Sequence, residues 1–136
     1  MWSPPQRRYR FTRADRIRAT REFRAVIRGG EKVSSKNLSL FIRRHPGPGR
    51  RLGLAIAGRL GGAVSRNRIK RRLREYIRLH RDRMAQGLDL VIVAHRDLSE
   101  VDPETFQAIV GDLFKQAGLF QDLSPEHAEE FVQSSN

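Results

Sequence analysis

The run Val64-Ser65-Arg66-Asn67-Arg68-Ile69-Lys70-Arg71-Arg72-Leu73-Arg74-Glu75-Tyr76-Ile77-Arg78 constrains the fold of this chain more than any other segment. It holds seven Lys and Arg in fifteen residues, yet keeps Ile69, Leu73 and Ile77 four residues apart. On an α-helix those three side chains form one stripe, so the cations project from the remaining faces. The segment predicts a helix that seats on a core and turns positive charge outward. Between residues 64 and 83 nine cations stand against only Glu75 and Asp82, and like charges so close repel one another. A polyanionic partner offsets that repulsion better than solvent does, which points to nucleic acid.

The rest of the chain supplies a core for this helix. A length of 136 residues fits one domain. Around Phe23, Val26 and Ile27, spaced i, i+3, i+4, a first helix is expected from about Arg16 to Arg28, stopped by Gly29-Gly30. Leu38 to Arg43 alternates, with Leu38, Leu40 and Ile42 opposite Ser39, Phe41 and Arg43. Leu52 to Gly58 repeats the pattern, setting Leu52, Leu54 and Ile56 opposite Gly53, Ala55 and Ala57. These strands offer one apolar face and one shallow face. The basic helix follows Gly58 to Gly62 and is expected to run to about Met84. Leu90 to Ala94 reads as a covered strand. A last helix begins with Asp102 as cap and Pro103 in its first turn, carries Phe106, Ile109, Val110, Leu113 and Phe114 on one stripe, and ends near Gly118. The expected class is α+β, a small mixed sheet of about four strands with three helices in the order α-β-β-β-α-β-α. Residues 1–13 read as a basic flexible arm, residues 14–119 as the domain and residues 120–136 as an acidic flexible tail.

Charge is divided along the chain. Residues 1–96 hold 26 Lys and Arg against 6 Asp and Glu, whereas residues 97–136 hold 1 against 9. The cationic surface therefore belongs to the first two-thirds. With no cysteine, thiolate and disulfide chemistry are excluded, and no apolar run is long enough to cross a membrane as a helix. His45, His80, His95 and His127 lack metal-ligand spacing, and neither Gly47-Pro48-Gly49 nor Gly58 to Gly62 leads into a nucleotide-binding motif. No catalytic constellation is evident. Amides at the start of the basic helix could still bind a phosphate, and a plain tight connection explains the same glycines equally well. On the shallow face, Gly53, Ala55 and Ala57 leave room for a single strand and Phe41 offers a stacking surface.

At these residues the chain resembles the bacterial ribonuclease P protein component. Val64-Ser-Arg-Asn-Arg-Ile-Lys-Arg-Arg-Leu-Arg-Glu is similar to the family's basic signature. Arg21-Glu-Phe-Arg-Ala-Val-Ile-Arg-Gly-Gly, Arg51-Leu-Gly-Leu-Ala-Ile-Ala and Asp89-Leu-Val-Ile-Val-Ala resemble its first helix and flanking strands. The resemblance implies a subunit of an RNA enzyme that removes the 5′ leader of precursor transfer RNA. In such an enzyme the catalytic RNA positions Mg2+, and the protein alone is expected to be inactive. Arg66, Asn67, Arg68, Lys70, Arg71 and Arg74 match the motif that meets the catalytic RNA. Phe23, Ile27, Phe41, Ala55, Ala57 and Arg59 fall in the cleft that holds the leader. Three positions depart from the family pattern: Ile27 replaces a frequent aromatic, Ala57-Gly58-Arg59 replaces Ser-Lys-Lys, and His95 stands where Arg is common. A left-handed β-α-β crossover around the basic helix, a cytoplasmic location, partnership with the catalytic RNA and precursor tRNA, and no membrane or obligate protein partner are also implied. The rival readings are a ribosome-associated or RNA-chaperone protein without processing activity and a helix-turn-helix DNA regulator. The latter needs a helix pair where this chain feeds a strand into the basic helix.

Overall fold

The computed structural model describes residues 16–17 and 20–120. The expected arm, residues 1–13, and the tail after Phe120 lie outside them. Among the described residues three α-helices, α1 (Thr20–Gly29), α2 (Ala63–His80) and α3 (Pro103–Gln116), accompany four strands, β1 (Glu31–Ser34), β2 (Leu38–Arg44), β3 (Arg50–Ile56) and β4 (Leu88–Ala94). The sheet order is β1-β2-β4-β3; β1/β2 and β2/β4 are antiparallel, and β3/β4 is parallel. This is the expected mixed sheet in an α+β fold.

The alternation of β2 and β3 becomes the two-sidedness of the sheet. Leu38, Leu40, Ile42, Leu52, Leu90 and Ile92 face α2 and α3, which answer with Ile69, Leu73, Ile77, Phe106, Val110, Leu113 and Phe114 in the main core. The opposite face buries a smaller cluster of Ile17, Val26 and Val91, flanked by Phe23, Phe41 and Val93. α3 starts where the sequence predicts, with the Asp102 carboxylate accepting from Thr105 N–H at 3.0 Å and Pro103 in its first turn.

Two helix boundaries differ from expectation. The first helix begins at Thr20 rather than near Arg16, because Arg16 and Ile17 run alongside β3: Ile17 N–H donates to Leu52 O at 2.9 Å, and the Ile17 side chain is buried. Pairing there covers backbone groups that β3, as an edge strand, would leave open. α2 ends at His80, not Met84, and residues 81–83 form a single 3-10 turn. Met84 leaves the helical path to reach the main core, where it is buried. Gly30 explains the abrupt exit from α1, since a Cβ there would lie 2.6 Å from Ile42 O and 2.7 Å from Val26 O.

The hand of the β3-α2-β4 crossover follows from L-chirality. Leu52 aims its side chain at α2, beside Ile69 and Leu73, while its carbonyl accepts from Ile17 on the edge away from β4. Viewed from the α2 side with β3 running upward, an L residue whose side chain faces the viewer points its own N–H and C=O to the right. Ile17 therefore lies to the right of β3 and β4 to its left. A connection that passes in front of the sheet and moves leftward is left-handed, against the usual right-handed rule.

Candidate nucleic-acid interface

On the α1 side the register aligns Lys32, Phe41, Val91 and Gly53 in one row across the sheet and Ser34, Ser39, Val93 and Ala55 in the next. α1 covers the first row and stops short of the second. Val91 is fully buried, whereas Val93 is only half-buried although its strand has neighbours on both sides. That difference defines a cleft whose floor is Val93 and Ala55 and whose walls carry Phe23 and Phe41. Phe23 lies directly over Gly53: a Cβ added there would meet Phe23 Cε2 at 2.7 Å. Ile27, one helical turn beyond Phe23, is 37% exposed. Phe41 stays half-buried, packed at the margin of the small cluster, with Lys32 Nζ 5.6 Å from its ring centroid. An aromatic ring with a cation beside it suits a stacked base and its phosphate.

Sequence reasoning missed Lys32, and it also missed what closes the other end of this face. Asp89, 2% exposed, accepts from Arg43 Nη2 at 3.0 Å and from Arg51 Nε and Nη2 at 3.1 and 2.9 Å. Arg51 Nη1 in turn donates to Glu22 at 2.5 Å, tying α1 to β3 and β4. Burial pushes the Asp89 carboxyl up, but hydrogen bonds from Arg51 and Arg43 outweigh it and hold the pKa below the usual carboxylate range. Glu22 is lowered by its hydrogen bond to Arg51, and the Arg51 guanidinium is raised by Asp89 and Glu22. In the sequence Asp89 is a lone acid in an apolar strand; only the register brings Arg43 and Arg51 to either side of it.

Beyond the cleft floor, Ala57 is half-buried and Arg59 exposed, leading toward the start of α2. The helix places Arg66, Lys70 and Arg74 on one stripe, with Asn67 and Arg71 on the next. Arg68 lies round the helix on the side of Arg72. Arg66 Nη1 donates to Gly61 O at 2.5 Å, bracing the turn before α2. Burial lowers the Arg74 pKa, and so does Arg16, whose positive charge lies close enough to act on it. Two cations held together attract an anion between them. Arg72 serves the fold instead: its Nη1 and Nη2 donate to Leu98 O and Val101 O, both at 2.6 Å, and its guanidinium lies 4.3 Å from the Phe106 centroid. The structure thus assembles the residues expected in two groups, one lining a cleft and one covering a helix. His95, on the rim side of β4, shares a 2.5 Å hydrogen bond with the buried Ser39.

The family model described as Ribonuclease P matches residues 11–118. A ribonuclease P protein component of Clostridium botulinum (strain Loch Maree / Type A3) is 36% identical over 107 residues, 78% of this chain and 96% of that one. One from Desulfovibrio desulfuricans is 40% identical over 96 residues, 69% of this chain and 74% of its own. Among solved structures, the RNase P protein of Staphylococcus aureus superposes with a TM-score of 0.72 at 25% identity, covering 80% of this chain and 100% of that one. The protein from Thermotoga maritima gives 0.68 at 27% identity, covering 74% and 96%.

Proposed function

Because this chain belongs to the ribonuclease P protein family, and so is a subunit for 5′ processing of transfer RNA that works with an RNA partner, we propose that it grips two RNAs through two separate surfaces. The exposed cations of α2, Arg68 and Arg71 foremost, together with Arg66, Asn67, Lys70 and Arg74, hold the catalytic RNA. The cleft between Phe23 and Phe41, floored by Val93 and Ala55, receives the 5′ leader of the precursor tRNA. The observation that carries this reading is the half-burial of Val93 beside fully buried Val91: the fold leaves open a shallow strip on an inner strand next to two aromatic rings. Ile27 lines it by apolar contact, and Ala57 and Arg59 continue it toward α2.

Bond cleavage is assigned to the RNA. Magnesium supplies the Lewis-acid chemistry of phosphodiester hydrolysis; among the described residues no group of three or more acids and histidines could hold it. The buried carboxylate, Asp89, already faces two arginines. The protein's share is binding and orientation, which lowers the magnesium needed by screening phosphates in its place. This work fits a cytoplasmic location.

Cleavage of a precursor tRNA at low magnesium by a bacterial ribonuclease P RNA, with and without the chain, tests this. Cleavage only when RNA and protein are both present supports the division of labour; cleavage by the protein alone overturns it. The absence of any stimulation of a well-matched RNA favours a binding protein without processing activity.

A further inference from the structure

A groove between α2 and α3 lies apart from the leader cleft and meets the RNA-binding face of α2 only at Arg71. Tyr76 and Phe106 lie buried beneath it, Leu79 is 54% exposed along it, and Arg71, Glu75 and Gln107 complete its border. Its volume is about 340 Å³, enough for a few side chains and at the small end of ligand pockets. An exposed leucine over two buried rings, edged by a cation, suits an amphipathic acidic segment.

Such a segment follows directly in the sequence. Residues 121–136 carry Asp122, Glu126, Glu129 and Glu130 and no Lys or Arg, and they space Ala128, Phe131 and Val132 at i, i+3, i+4. The described residues end at Phe120, one ring removed from Tyr76 of this groove: its ring centroid is 6.2 Å from that of His80, which stacks at 4.0 Å on Tyr76. Phe131 follows Phe120 by eleven residues, a reach of roughly 35 Å when extended. Tethering at that distance gives the segment a high effective concentration at the groove.

We propose that residues 121–136 dock in the α2–α3 groove, with Phe131 and Val132 against Leu79 and Phe106 and the acidic side chains toward Arg71. Docking closes the exposed apolar strip and places negative charge beside an RNA-binding cation. That consequence for RNA rests on the function proposed above.

Amide NMR spectra of the full chain, its Phe131→Ala variant and a chain ending at Phe120 test the docking. Shifts over residues 71–79 and 103–107 that distinguish the full chain from both others, and that do not depend on protein concentration, are expected. Superimposable spectra overturn it. Shifts that grow with concentration would place a second copy in the groove and overturn it too, as would shifts that appear only when RNA is added. Affinity for a ribonuclease P RNA reads the consequence separately: the shorter chain should bind about fivefold tighter, the effect of releasing one exposed charge contact. Equal affinities with the shifts present would remove the competition, whereas failure of all three chains to bind RNA would strike the proposed function.

Discussion

Replacing Asp89 by Asn tests whether the arginine clamp is what holds α1 against the sheet. The carboxylate accepts three hydrogen bonds, one from Arg43 and two from Arg51. Charged hydrogen bonds contribute roughly 1.5–3 kcal/mol each. Arg43 and Arg51 are 39% and 31% exposed, so water takes over much of their solvation once the partner is lost. About 3 kcal/mol is a reasonable total, which lowers Tm by roughly 8–15 °C for a domain of this size. The pH dependence supplies a second readout with a definite sign. The Asp89 pKa is lowered in the folded state, so its contribution is fully present above the unfolded carboxyl value, about 3.9. It is lost as pH falls through the lower folded value. Thermal unfolding followed by circular dichroism from pH 6 to pH 2 should therefore show the parent losing stability more steeply than Asp89→Asn, the two curves converging in acid. Parallel curves, or a variant as stable as the parent at pH 6, would refute the clamp.

Three further outcomes separate the surfaces from the scaffold. Phe41→Ala should raise the Michaelis constant for substrates with leaders, one base stack being worth roughly 1–3 kcal/mol, and leave a leaderless substrate's binding unchanged. Arg68→Ala should weaken assembly with the catalytic RNA and reduce the slope of log affinity against log salt by about one, seen in filter binding across a salt series; an unchanged slope would show that Arg68 meets no phosphate. Asp102→Ala removes the cap of α3 and should cost about 1 kcal/mol in denaturant unfolding while cleavage by the assembled enzyme stays intact.

The periodicities that survived folding are those in which one side chain type repeats on one face. Ile69, Leu73 and Ile77 had to share a buried stripe, and Leu38, Leu40 and Ile42 an apolar strand face, because burial of apolar area is strong and its geometry is set by helix and strand periods. Helix ends were less legible. Residues 16–17 went to the β3 edge and Met84 to the core, both outcomes decided by distant partners. Basic residues were the least separable: nothing in the local spacing distinguishes Arg72, spent on Leu98 and Val101, from Arg68 and Arg71, which stay exposed.

By itself the sequence determined the layered α+β class, the basic helix, the shallow strand face and the polyanionic character of the partner, since these depend on short-range period and on summed charge. Only the tertiary structure decided the strand order, the clamp of Asp89 by Arg43 and Arg51, the nearness of Lys32 to Phe41, and the half-open strip at Val93. Each of these depends on which residues from separate strands share a row. Register is a property of pairing between strands, set by how all the buried faces meet at once, and no single segment encodes it.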